Sequence, residues 1–344
     1  MKIKKKHIVK YFQLLTDTSA LRMAKEWPLQ GGVKLSPWSA FFDSLWCKLR
    51  YGIRTREYFY FALYNKSARA RRQFVGEAES AWKIAYIVNK GDKRLFSDKW
   101  LAYQTYRPYY RRDMVSLTLP ADTATLEEFA HRFGKFILKP VQSTQGHGIC
   151  FYDSDNPNAE ETLKKICSEV IGEVIVEEII KQDETIAAFH PTSVNTIRYV
   201  VDYCPDGSTD RLFAIIRMGV GDNRIDNTHA GGVCAAIDIE TGIIVSRGVS
   251  QKGYTCLKHP DTGKQIIGAQ IPRWDELNKF VELLRPTEGT TGIHLVGWDL
   301  ALTPEGWCIV EGNAGPSMMG IQGSTGQGSR MMLKRVLKKR QQTH

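Results

Sequence analysis

The sequence predicts an α+β protein, with two mixed lobes following a basic, mostly helical module. Three observations lead there. Before about residue 95, apolar and aromatic residues recur at helical spacing and alternating strand patterns are absent. Between about 96 and 184, helix and strand patterns interleave around a glycine-containing turn, and from about 185 strands dominate. Such mixing indicates α+β lobes rather than a regularly alternating sheet. The expected units are 1–95, 96–184 and 185–344.

Charge separates the first unit from the rest. The chain carries a net +10. The first ninety-five residues hold about twenty Lys/Arg against about seven Asp/Glu, leaving the remainder slightly acidic. A basic module of this kind suits an anionic polymer or membrane surface, and equally a solvated helical face. The cluster Arg69, Arg71 and Arg72 is the expected recruiting charge, and no specific nucleic-acid motif accompanies it. Hydrophobic content of 42% with 24% charged residues fits a globular chain. The longest apolar runs, such as Val174–Val176 leading to Ile179 and Ile180, fall far short of the ~20 residues that cross a bilayer. Met1–Leu15 is basic at its front, but Lys10 and Gln13 break its apolar part and no small-residue cleavage site follows. It reads as the opening of a mature cytoplasmic chain, peripheral at most to the inner membrane face. Seven scattered cysteines without a CxxC spacing argue against a disulfide framework or a zinc site.

In chain order, Ser44–Arg50 and Tyr58–Tyr64 are helical, around a Gly/Pro-rich break from Pro28 to Pro37. Asp122 opens a capped helix. Phe136–Pro140 and Gly148–Tyr152 are strands, Asn158–Val170 a helix, and Val174–Glu178 a strand. Strands then follow at Thr196–Tyr203, Arg211–Met218, Val233–Ile239, Ile293–Leu302 and Gly306–Asn313. Trp274–Leu284 is helical, and Gly326–Lys339 forms a final basic helix.

The residues that carry chemistry begin with the last two strands. A strand projects residues i and i+2 to one face, so Glu311 and Asn313 point together. Asp299 shares their space if the strands form a hairpin through Thr303–Gly306. Three oxygen ligands on rigid strands suit Mg²⁺, and the acids interrupt core-like runs where incidental carboxylates are rare. Next comes Lys139 at a strand end, followed by Gln142–Gly148. A glycine-bearing turn brings backbone N–H groups to phosphate oxygens while the lysine supplies a fixed charge. Neither the Walker A spacing nor the dinucleotide glycine pattern is present. The stretch Val176–Glu184 offers backbone groups to an adenine edge and acids to ribose hydroxyls, although alone it is more often a solvated strand end. Last are Arg217 and the turn Asp226–Gly232, individually unspecific.

In this order the motifs resemble the ATP-grasp superfamily over roughly residues 96 to 330. Gly297-Trp-Asp-Leu-Ala-Leu302 and Ile309-Val-Glu-Gly-Asn-Ala-Gly-Pro316 look like its metal-binding strands. Ser193-Val-Asn-Thr-Ile-Arg198, Asp226-Asn-Thr-His-Ala-Gly-Gly232 and His259-Pro-Asp-Thr-Gly263 are similar to the sugar-transfer-associated branch, linked to bacterial capsule and surface-glycan biosynthesis. The resemblance implies an ATP-grasp fold of two lobes gripping ATP. It implies nucleotide-binding lysines at Lys99 and Lys139, and a mobile phosphate loop comprising Ser143, Thr144, Gln145, Gly146, His147 and Gly148. Glu177, Glu178 and Ile180 match the adenine hinge, and Glu184, with Asp183 as alternative, the ribose acid. Asp299, Glu311 and Asn313 match the ligands of two Mg²⁺ ions, Glu311 bridging.

Two departures stand out. The chain opens with a basic helical segment where such ligases have a Rossmann-like domain. D-Alanine–D-alanine ligases carry an arginine two positions before the metal-binding aspartate, and that position here is Gly297. The cation over the transferring phosphate is therefore expected from Arg217 first and Arg198 second. The implied activity is ADP-forming carboxylate–amine ligation through an acyl-phosphate, on a uronic acid or other glycan-linked carboxylate with an amine or amino acid. The alternatives are a kinase acting on a hydroxyl and a non-catalytic ATP-binding scaffold.

Overall fold

The computed structural model describes residues 18–27, 33–141, 148–222, 231–286 and 292–341. Its first part is helical: α1 (Thr18–Glu26), α2 (Pro37–Tyr51), α3 (Thr55–Tyr60), α4 (Ala68–Arg71), α5 (Glu77–Lys83), α6 (Arg94–Ser97) and α7 (Lys99–Tyr110). Local chemistry sets the ends. The Ser36 hydroxyl accepts from the Ser39 amide at 3.1 Å, and Pro37 occupies the first turn, where no N–H is needed. Gly52, at φ 69°, closes α2 in the left-handed conformation that a side chain disfavours. Asp98 caps α7, accepting from the Trp100 and Leu101 amides at 2.9 and 3.0 Å. Helices thus continue past residue 95 to Tyr110.

A four-stranded antiparallel sheet follows, in the order β1-β4-β2-β3: β1 (Met114–Leu119), β2 (Lys135–Pro140), β3 (Cys150–Asp153) and β4 (Gly172–Glu178). Helices α8 (Thr123–Phe133) and α9 (Ala159–Glu169) cover it, and Leu126, Phe129 and Ile166 pack with Phe136, Val174 and Val176. Strand β1 escaped the sequence reading. The Asp122 carboxylate accepts from the Thr118 amide at 2.6 Å and makes no capping bond to α8, so it secures the turn rather than the helix start.

After α10 (Glu184–Ala187) comes a seven-stranded antiparallel sheet in the order β11-β10-β5-β6-β7-β8-β9. Its members are β5 (Thr196–Tyr203), β6 (Thr209–Met218), β7 (Val233–Ile237), β8 (Gly248–Ser250), β9 (Thr255–Cys256), β10 (Leu295–Thr303) and β11 (Gly306–Asn313). Helix α11 (Trp274–Leu283) and the tyrosines of α7 pack on one face around Tyr199, Trp298 and Trp307. The other face, through Val200, Ile215 and Leu295, meets Val75, Ile84 and Val88 of the helical segment. It also meets Leu333 and Val336 of the last helix. Burial on both faces explains why β10 reads as an almost continuous apolar run.

Two helices end the described chain, α12 (Met319–Thr325) and α13 (Arg330–Gln341). The single helix expected from Gly326 is corrected: Gly326 adopts φ 65° and terminates α12. Arg340 and Lys339 anchor α13 through ion pairs to Asp202 and Asp210. The basic helical segment is tied into this body. Gln322 of α12 accepts from the Val75 amide and donates to its carbonyl, both at 2.9 Å. Val249 and Met319 complete a core of Cys47, Ile53, Tyr58, Phe59 and Phe61. All seven cysteines are free thiols. Among the described residues, no helix is long and apolar enough to cross a membrane.

One charge of the expected recruiting cluster is structural instead. Arg71 forks onto both Asp43 oxygens at 2.6 and 2.7 Å, and its Nε donates to the Leu63 and Lys66 carbonyls. Its side chain is only 15% exposed, whereas Arg69 and Arg72 are exposed. Arg71→Ala should cost about 1–3 kcal/mol by stranding Asp43 and two carbonyls. Arg69→Ala and Arg72→Ala should each stay within about 0.5 kcal/mol. Urea unfolding midpoints of the three variants test this.

Candidate active site

The end of the four-stranded sheet, the start of α7 and the edge strand β11 enclose a cleft. Lys99, Lys139, Glu177 and Glu311 line it, beside Phe96 and Met114. Lys99 stands at the first position of α7, and its Nζ donates to the Pro140 and Val141 carbonyls at 3.3 Å each. Burial pulls its ammonium pKa below the ordinary value, with Glu311 partly opposing the shift. Gly312 has no room for a side chain: a Cβ would come within 2.7 Å of the Trp298 ring and 3.0 Å of Phe96. That close approach brings β11 against the cleft.

Lys139 and Glu177 meet across paired strands β2 and β4 and form an ion pair. Glu177 is 2% exposed and has a second cation, Arg112, whose Nε and Nη2 donate to it at 2.9 and 2.7 Å. Burial alone would raise the Glu177 pKa, but Lys139 and Arg112 overcome it and hold the carboxyl down to about 2. Arg112 also donates to the Ile309 carbonyl of β11 at 2.6 Å and the Tyr110 carbonyl at 3.1 Å, so the guanidinium joins the two sheets. Arg112 was missed in the sequence. Its only signal was the Arg111-Arg112-Asp113 triplet preceding an unrecognised strand.

The hairpin β10–β11 carries the acidic pair. Asp299 lies directly opposite Glu311, and a bulge follows at Val310. Asp299 also faces Arg198 on β5, and Arg217 projects nearby from β6. Arg198 binds both Asp299 oxygens, and Arg217 Nη1 reaches Oδ2 at 3.1 Å. Burial works against ionisation of Asp299, but the two guanidiniums prevail and its pKa stays below the carboxylate norm. Glu311 opens toward the cleft, yet enough protein surrounds it that desolvation, followed by the Asp299 charge, pushes its carboxyl pKa up. Two carboxylates directly opposed are mutually unfavourable, and a divalent cation would relieve that. Asn313 pairs with Gly297, on the same side as Glu311, and its buried Nδ2 has no partner among the described residues. Two carboxylates and an amide oxygen form a donor set that fits Mg²⁺, with Glu311 the more available ligand because Asp299 is already held by arginines.

Gly297, the position lacking an arginine, has a physical role here. A Cβ there would lie 2.8 Å from Pro316 and 3.3 Å from the Arg198 Cδ. The neighbouring strand therefore lays its arginine stem across the space that Gly297 leaves.

The remaining predicted residues are placed less closely. The Glu178 carboxylate accepts from the Asp113 amide at 3.2 Å and its own amide donates to the Asp113 carbonyl at 3.0 Å. Ile180 is half-buried. Asp183 caps α10 by accepting from the Thr185 amide at 3.0 Å, while Glu184 is exposed and the freer acid. Of the phosphate loop, Ser143, Thr144, Gln145, Gly146 and His147 lie outside the described residues. Gly148 adopts φ 75° against Pro140. Residues 226–230 of the Asp226–Gly232 turn also lie outside. The His259–Gly263 motif, together with His190, whose ring bonds the Ser193 hydroxyl at 2.8 Å, meets Gly219 and Gly221. His259 bonds the Gly219 carbonyl at 2.8 Å, His190 the Gly221 carbonyl at 2.9 Å, and Asp261 accepts from the Gly221 amide at 2.7 Å.

The Glu177 pairing has a pH signature. A depressed folded-state pKa contributes stability that is fully present above 4.5 and is lost as pH falls toward about 2. Glu177→Gln should flatten the dependence of the urea midpoint on pH across that window, whatever its effect on the absolute midpoint. An unchanged slope would mean Glu177 does not hold a charge-paired proton deficit in the folded state.

A model of the sugar-transfer associated ATP-grasp family matches residues 103–338. Solved structures similar to the chain include the ATP-grasp ligase PsnB with a minimal precursor variant, Mg and ADP. It is 14% identical with a TM-score of 0.41, covering 72% of this chain and 60% of that one. Another is the ADP complex of PurK, N5-carboxyaminoimidazole ribonucleotide synthetase, at 11%, TM-score 0.43, and 72% and 53% coverage. A third is D-alanyl-alanine synthetase A from Vibrio cholerae, at 13%, TM-score 0.44, and 73% and 66%. The chain thus spans about 60% of the length of the first of these. No curated protein matches it in sequence. The two antiparallel sheets, the interlobe cleft and the family match agree, and the chain belongs to the sugar-transfer associated ATP-grasp family.

Proposed function

We propose that the chain is an ADP-forming carboxylate–amine ligase that activates its carboxylate as an acyl-phosphate. The observation that carries this reading is a cleft lined by Lys99, Lys139 and Glu311, with Asp299 directly opposite Glu311 and held by two arginines. Lys99 and Lys139 supply fixed positive charge for the phosphates of ATP. Arg198 and Arg217, which bind Asp299, are the cations to balance the charge of a transferring phosphoryl group. Glu311 and Asp299, with Asn313, are the residues to hold Mg²⁺, one ion or two, which when bound neutralises phosphate charge. Glu178 and Ile180 offer backbone groups to adenine, and Glu184 offers a carboxylate to ribose.

In the proposed sequence a substrate carboxylate oxygen attacks the γ-phosphorus as its bond to the bridging oxygen breaks, and ADP leaves. An amine then attacks the acyl carbon, loses a proton, and phosphate departs to leave an amide. The family's association with sugar transfer supports a glycan-linked carboxylate, such as a uronic acid, as acceptor in capsule or surface-polysaccharide assembly. The basic helical segment supports an anionic polymer or membrane-linked acceptor met at the cytoplasmic face.

The test is a screen of uronic acids and small peptides against amines and amino acids, scoring ADP and free phosphate with and without Mg²⁺. The ligase reading predicts both products in equal amounts, dependent on Mg²⁺ and on both substrates. ADP without phosphate would indicate a kinase, and no turnover with any pair would favour a scaffold. Glu311→Gln should lower turnover by about a hundredfold or more while circular dichroism stays unchanged, because the side chain faces the cleft and not the core. Near-normal turnover in that variant would remove the metal assignment.

A further inference from the structure

Helix α2 is amphipathic in the wrong sense for a helix that serves only its own core. It turns small residues inward, with Ala40, Ser44 and Cys47 buried. It shows large ones outward: Trp38, Phe42, Trp46 and Leu49 are 59, 60, 57 and 60% exposed. Their spacing of four, four and three places them on one face. A contiguous exposed apolar stripe of this size marks a docking surface.

Charge identifies the occupant. Lys34 ahead of the stripe and Arg50 and Arg54 behind it are exposed. The one acid of α2, Asp43, is neutralised by Arg71 and accepts from the Tyr58 hydroxyl at 2.7 Å. Farther up the sequence, before α1, residues 1–17 add Lys2, Lys4, Lys5, Lys6 and Lys10. A second copy of the chain would set two such basic segments against each other. An anionic bilayer complements them, accepts tryptophan and phenylalanine at headgroup depth, and gains from the cations around the stripe. We infer that α2 is a membrane-docking helix, seating Trp38, Phe42, Trp46 and Leu49 in the interfacial layer of an anionic membrane. This deepens the reading of the basic segment as the part that meets an anionic acceptor, and specifies that the acceptor is presented on lipid.

Flotation with phosphatidylglycerol-containing vesicles, and with pure phosphatidylcholine as control, tests it. The full chain should float with the anionic vesicles. Trp38→Ser/Phe42→Ser/Trp46→Ser should lose at least about tenfold in vesicle affinity with an unchanged melting curve, since these side chains are exposed. If that variant folds poorly, Lys34→Glu/Arg50→Glu should still weaken flotation. Three outcomes overturn the inference. One is absence of wild-type flotation, and another is flotation indifferent to both variants. The third is a concentration-dependent dimer that disappears with the stripe, which would assign the stripe to protein. ADP and phosphate release with soluble substrates should be the same in both variants and wild type, so failure of docking is distinguishable from failure of the ligase reading.

Discussion

A single buried carboxylate fixes how the two sheets meet. Glu177 sits in the interior between Lys139 and Arg112, where removing an ion from water costs several kcal/mol unless paired and hydrogen-bonded. The pairing constrains three elements together: β4 carries the acid, β2 the lysine, and the segment before β1 the arginine. Arg112 then reaches the β11 backbone, so the charge cluster also sets the seven-stranded sheet relative to the four-stranded one. Two cations surround one anion. Lys139 lines the cleft beside Lys99, with Glu177 and Glu311 among its other charged walls.

The seven-stranded sheet contributes the complementary half. Its two covered faces fix strand register, because a slip of one residue would exchange core and cleft side chains. Register places Glu311, Asp299 and Arg198 in one row across β11, β10 and β5. The same row explains how a chain with Gly297 still has a guanidinium beside Asp299, the proposed metal ligand: it comes from the next strand. Arg198 and Arg217 hold Asp299 ionised while Glu311 bears the strain of an opposed charge. The two acids are therefore unequal before any ligand arrives.

Much of this was legible in the sequence, for local reasons. Acids that interrupt apolar strand runs pointed to Asp299 and Glu311, strand spacing put Asn313 on the same side as Glu311, and a short hairpin turn brought Asp299 to them. Lys139 was readable from its place at a strand end. Arg112 was not, because its partner Glu177 is 65 residues away and nothing local distinguishes a buried arginine from a solvated one. The same blindness made Arg71 look like a recruiting charge when Asp43 already claims it. Strand β1, with only six residues and a serine and threonine in its alternation, gave too weak a pattern. The outward stripe of α2 was hidden for the opposite reason: helical periodicity shows that a face is apolar but not which way it turns.

We propose that Glu177 acts on nucleotide through Lys139, by holding the ammonium at the cleft. A double-mutant cycle on the affinity for a non-hydrolysable ATP analogue with Mg²⁺, measured by titration calorimetry, tests it most directly. Lys139→Met should weaken binding by about tenfold or more, equivalent to roughly 1.4 kcal/mol. Glu177→Gln should weaken it less, and the double variant should bind no worse than Lys139→Met alone. Wild-type affinity in Lys139→Met, or fully additive losses in the double variant, would contradict the account.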